Sequence, residues 1–252
     1  MTVSLDSGQT LALRVDGKAL AESAHRAMTC NTCHSDKGAY PHAPVELTSR
    51  LAYRARAVQL CSRCHATVAG AYAASAHADS LLSGKSEGAT CYDCHSENGS
   101  AHSVRSVAGP QALVLPRTVL DTCGRCHPDE LDSYLETSHA KVVRFGNPMG
   151  AATCVTCHDS HEVKRVEDPE AGLTRDKLVA VCATCHSGAN DNFAAGWVGH
   201  RGASLTRFPA VYFTERFFVF LTAVVVGLGI VHVELDFYRW LAERSRNGKG
   251  RR

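Results

Sequence analysis

The pentapeptide Cys-x-x-Cys-His occurs six times in this chain of 252 residues, at Cys30–His34, Cys61–His65, Cys91–His95, Cys123–His127, Cys154–His158 and Cys182–His186. These copies use all 12 cysteines. Paired cysteines alone read most often as zinc knuckles or disulfides. Histidine supplies 14 of the residues, so its placement after all six pairs by composition alone has a chance of about 3 in 10^8. Cys-x-x-Cys-His is the attachment signature of c-type haem: two thiols form thioethers to the vinyl groups, and the adjacent imidazole reaches the iron. The pattern predicts six covalently bound haem c groups. Their tethers are Cys30, Cys33, Cys61, Cys64, Cys91, Cys94, Cys123, Cys126, Cys154, Cys157, Cys182 and Cys185, and their proximal ligands are His34, His65, His95, His127, His158 and His186. No cysteine remains for a disulfide, a catalytic thiol or an iron–sulfur cluster.

Six macrocycles leave 42 residues of chain each (252/6), so the cofactors themselves must fill much of the interior. An aromatic content of 7% suits chain wrapped around flat cofactors better than a conventional core. The apoprotein is expected to be largely unfolded. The formal charge of +2 omits the haem propionates, and no nucleic-acid partner is indicated.

Residues 1–20 alternate apolar and polar positions around Asp6-Ser7-Gly8, with a second turn signal at Asp16-Gly17, and predict a small β-hairpin. No charged n-region with an apolar h-region is visible there. Because c-type haem is attached outside the energy-conserving membrane, an export signal is expected that this sequence does not display. From 21 to 200 the chain repeats. Cys30, Cys91 and Cys154 lie 61 and 63 positions apart, and Cys61, Cys123 and Cys182 lie 62 and 59 apart, which gives three two-haem units. Each unit has a histidine shortly before its first motif (His25, His77, His139) and another after it (His42, His102, His161). Six such histidines match six irons lacking a sixth ligand, predicting bis-histidine iron throughout. His200 recurs in register but has no following unit, and stands between ligand, partner contact and vestige. Met28 and Met149 are poorly placed to compete as ligands. Helices are predicted over Ala69–Leu82 and Asp129–Lys141, and linkers over Ala108–Thr118 and Arg165–Asp176.

After the linker 201–216, residues 217–233 carry no formal charge and the apolar stretch runs on toward Trp240. It predicts a transmembrane helix over 217–240, with Tyr238 and Trp240 as interfacial anchors. In the tail 241–252, basic residues outnumber Glu243, so the C-terminus is expected in the cytoplasm and the haem domain outside. His232 within the helix, with Glu234 and Asp236 after it, marks either a functional contact or a group reaching the interface. The sharper version is a quinol site or a contact to a haem of a membrane partner.

Ser75-Ala76-His77 and Ser138-His139 before their motifs, and the run Cys154-Val155-Thr156-Cys157-His158-Asp159-Ser160-His161, resemble the multihaem cytochromes c of the cytochrome c554 and NapC/NrfH type over about residues 21–200. The resemblance implies a relay between the quinone pool and periplasmic or extracellular partners. Six haems and a C-terminal anchor depart from NapC/NrfH, so their quinol-site residues do not transfer. The anchor is more similar to cytochromes that assemble with a b-type or other quinol-reactive membrane subunit. The expected fold is mainly α and irregular, a multihaem cytochrome c with little regular secondary structure, three two-haem repeats, an N-terminal hairpin and one C-terminal span. The expected function is a membrane-anchored electron carrier passing electrons to a redox partner protein. The alternative is a reductase of small nitrogen or sulfur oxyanions, which needs an open iron that six histidine-terminated motifs do not signal.

Overall fold

The computed structural model describes residues 2–12, 14–41, 48–85, 88–108, 112, 115–171, 173–195, 197, 200 and 209–249. Among the described residues 61% are helical, and the chain divides into two units, Met1–His200 and Arg201–Arg252. That helical share exceeds the sparse regular structure expected from the sequence. The excess comes from many short helices, because each Cys-x-x-Cys-His itself closes a turn and a capped helix leads into or out of it.

The hairpin forms as expected, with β1 (Thr2–Ser4) antiparallel to β2 (Thr10–Ala12) and Thr2 opposite Ala12. Asp16-Gly17, expected to be a second turn, instead starts α1 (Gly17–Glu22), where the Asp16 carboxylate accepts from the Lys18 and Ala19 N–H groups. The first motif contributes α2 (Cys30–Cys33). Next come α3 (Arg50–Ser62), α4 (Ala66–Ala73), α5 (Ala76–Leu82) and α6 (Cys91–His95). A second set follows: α7 (Pro116–Gly124), α8 (Pro128–Leu135), α9 (Ser138–Phe145) and α10 (Cys154–His158). The unit closes with α11 (Arg175–Ala183) and α12 (Asp191–Ala195).

Two single helices expected from apolar spacing are each two. The break falls at Ser75 and at Thr137, whose hydroxyls accept from Ala78 and Ala140 N–H and start α5 and α9 afresh. Both expected linkers end in helix, since Pro116 opens α7 at a position where proline lacks no bond and Arg175 opens α11.

The two sets are built alike. Tyr72 donates to Ala89 O at 2.8 Å, and Tyr134, 62 residues later, donates to Ala152 O at 2.5 Å. Thr90 and Asp93 close a reciprocal cap on α6, as Thr153 and Thr156 do on α10. The largest buried cluster is only Leu120, Tyr134, Ala140 and Val143. Gly88 passes so close to α5 that a Cβ would lie 2.5 Å from Leu81 N and 2.7 Å from His77 O, so any larger residue would displace the turn carrying His77.

In the second unit, α13 (Pro209–Lys249) is one helix of 41 residues. It starts before the expected 217 and ends beyond 240. Over Pro209–Arg244 it is long and apolar enough to cross a membrane, its most apolar 18 residues having a mean hydropathy of 2.2 and none of them buried. Its length of about 60 Å exceeds a hydrocarbon core of about 30 Å, so its ends extend past the apolar layer if it crosses. Arginine lies over an aromatic ring near each end, Arg216 on Tyr212 and Arg244 on Trp240. His232 Nε2 lies 3.5 Å from Asp236 Oδ2, and Arg239 pairs with the same carboxylate at 3.7 Å.

Candidate functional site

Each motif histidine ends or follows its short helix, and each faces one other imidazole. His34 opposes His102 at 6.1 Å between ring centroids, His65 opposes His25 at 6.2 Å, and His95 opposes His161 at 6.1 Å. His127 opposes His77 at 6.2 Å, His158 opposes His200 at 6.3 Å, and His186 opposes His139 at 6.2 Å. The distance hardly varies, while the angle between ring planes runs from 10° to 70°. Aromatic packing would couple distance to angle. A constant distance with a free angle is the pattern that rings held on a common atom would show. Two imidazoles sharing one metal atom, with bonds of about 2.0 Å, have centroids about 6.3 Å apart.

The pairing joins distant chain. First, third and fifth motifs meet a histidine downstream, and second, fourth and sixth motifs meet one upstream. Five of the six expected distal residues therefore oppose a motif histidine: His25, His77, His102, His139 and His161. The sixth, His42, lies outside the described residues. His200, which the sequence left undecided, takes the place opposite His158. His232 belongs to the second unit.

Burial, with the charge of the opposing ring, holds the imidazole pKa below its ordinary value at His77, His102 and His139 and at the motif residues His95 and His158. Neutral imidazole is the form that binds a metal. The cysteines are all free. The neighbouring thiols of Cys61 and Cys91 push each other apart in pKa, Cys91 down to about 7 and Cys61 up, and Cys154 and Cys123 repeat that relation. The second and third motifs thus abut, as do the fourth and fifth. Arg125, inside the fourth motif, donates to Asp93 O at 2.5 Å and holds the third motif against the fourth. In the first pair of motifs, Arg63 reaches Ser35 Oγ at 3.1 Å. Among the described residues no group of three or more His, Cys, Asp or Glu gathers as an all-protein metal site.

A local signal marks the opposing histidines that spacing alone did not reveal. Two residues before five of them stands a side chain whose oxygen caps a backbone N–H. Ser23 accepts from His25 N–H, Ser100 from His102 N–H, and Asp159 from the N–H groups of Ser160, His161 and Glu162. Ser75 and Thr137 accept one residue later, from Ala78 and Ala140. Those bonds hold the Asp159 carboxyl below its usual range, and its backbone takes a φ of 64° to make them. Position 40, two before His42, is tyrosine, and position 198, two before His200, is valine. The segments before His25 and His77 are also pinned across the fold, by Ala24 N–H to Val104 O and Ala76 N–H to Val163 O, both 2.7 Å.

No protein-family model, no curated protein and no solved structure matches this chain.

Proposed function

We propose that the chain is a membrane-anchored hexahaem c-type cytochrome that carries electrons between the quinol pool, or a b-type membrane partner, and periplasmic or extracellular acceptors. The observation that carries this reading is the set of six imidazole pairs, each containing the histidine of one Cys-x-x-Cys-His and each spaced for a single metal atom. When bound, haem supplies a one-electron iron couple whose potential follows from its axial ligands and surroundings.

The residues have separable tasks. Each cysteine pair would tether one haem through its two thiols, and each histidine pair would supply two imidazole nitrogens to its iron. His34 and His102 serve the first site, His65 and His25 the second, and His95 and His161 the third. His127 and His77 serve the fourth, His158 and His200 the fifth, and His186 and His139 the sixth. Neighbouring motifs touch from the second to the fifth, so the sites follow one another in chain order there. Ligands held by capped turns change little in geometry between oxidation states, which favours carriage over binding of small molecules. A reductase requires an iron with an exchangeable position, and every motif histidine here has an opposing partner. The apolar helix, with basic residues after it, fits a single span with the haem domain outside and the C-terminus in the cytoplasm.

The test is haem quantitation with electron paramagnetic resonance on the full chain purified in detergent. Six haems per chain, all low-spin ferric, are expected. A large high-spin fraction in the unmodified protein, or zinc in place of haem, sinks the reading.

A further inference from the structure

His200 is held differently from the other opposing histidines. Five of them follow, at two positions, a side chain that caps their own turn. His200 follows Val198, and Ser133, 67 residues earlier on α8, supplies the polar contact instead. Ser133 Oγ lies 2.8 Å from His200 Nδ1 and 2.9 Å from the Glu130 carbonyl oxygen. A serine hydroxyl has one proton and a carbonyl oxygen can only accept. The hydroxyl proton therefore goes to Glu130, and at His200 the serine oxygen accepts, so Nδ1 carries the imidazole proton. Nε2, with its lone pair, is the nitrogen left for the space between His200 and His158. The ring of the adjacent Tyr134 packs edge-on against His200 at 6.3 Å and fixes the same side of the imidazole.

We propose that Ser133 is the positioning residue of the fifth site, setting the tautomer and orientation of His200, and that this site alone depends on a remote side chain to stay closed. The proposal rests on reading His158 and His200 as axial ligands of one iron. A partner on the second nitrogen of a metal-bound imidazole fixes its orientation and raises its basicity, and losing such a partner weakens ligation on the order of 10- to 100-fold. At His25, His77, His102, His139 and His161 the restraints come from capping within the same turn and from backbone bonds to Val104 and Val163. At His161 the neighbouring Ser160 adds an Oγ 3.1 Å from Nδ1, so none of the five rests on a side chain distant in sequence.

The test compares the haem-loaded full chain with Ser133→Ala, Ser133→Thr and His200→Ala, following carbon monoxide uptake after reduction and the high-spin ferric signal before it. In the parent and in Ser133→Thr every haem is expected to be low-spin and inert to carbon monoxide. In Ser133→Ala about one haem in six becomes exchangeable, with uptake faster by on the order of 10-fold or more. In His200→Ala that same fraction is fully open. An open haem in His200→Ala with none in Ser133→Ala overturns the role of Ser133 and leaves the ligand assignment standing. No open haem in His200→Ala overturns the ligand assignment as well. If Ser133→Ala loads fewer than six haems, Ser133→Thr and Ser133→Val, alike in shape and differing in the hydroxyl, replace it; equal uptake by those two overturns the proposal.

Discussion

Between Met1 and His200 the largest buried cluster is four side chains, Leu120, Tyr134, Ala140 and Val143, whereas Pro209–Arg244 is strongly apolar and has none of its apolar window buried. Neither region has a conventional protein core, and their apolar surfaces differ in form. Along α13 the apolar surface is a continuous band over residues 217–233, about 25 Å long, close to a bilayer's hydrocarbon thickness, a shape that lipid covers without specific contacts. In the first unit the polar groups that stand out are six imidazole pairs with ring centroids 6.1 to 6.3 Å apart. On the proposed reading, one chain would rely on two different non-protein partners for burial, haem in the first unit and lipid along α13.

The largest expected effect comes from withholding haem attachment. Expressed in a host without the attachment machinery, the first unit should be unfolded by far-ultraviolet circular dichroism and rapidly proteolysed, while α13 still partitions with membranes. Cooperative thermal unfolding of the haem-free first unit would break the comparison. The next largest follows from ending the chain at residue 208. The shortened protein should leave the membrane fraction with six haems and an unchanged Soret spectrum; retention in the membrane would assign the anchor elsewhere.

The smallest effect sharpens the comparison most, because one chemical change is made in both regions. Val143 is 0% exposed and Val225 60%. Val143→Ala should destabilise the first unit by about 2 kcal/mol, whereas Val225→Ala should leave its melting temperature unchanged. Equal losses would mean that α13 supports the first unit through its own packing.

Much of this was legible in the residues. The six Cys-x-x-Cys-His motifs, the hairpin and the apolar helix are short-range patterns, and local chemistry decides them. The misread helices at Ala69–Leu82 and Asp129–Lys141 had the right apolar spacing, and the missed signal was the cap: Ser75 and Thr137 offered oxygens to the next turn, which split each run in two. Reading that same oxygen two positions before a histidine would have ranked His25, His77, His102, His139 and His161 above His42. It would not have found His200, whose support is Ser133.

The sequence by itself determined how many sites there are, which cysteines and histidines begin each one, and that the last part of the chain is an apolar helix, because each of these depends on neighbours within a few residues. Only the tertiary structure decided which imidazole faces which. The partners lie 40 to 68 residues apart and cross between repeats, so His34 meets His102 and His186 meets His139 only once the helices between them have packed. The partner of each motif histidine is whichever imidazole the fold brings to it. Chain order carries no direct information about that distance.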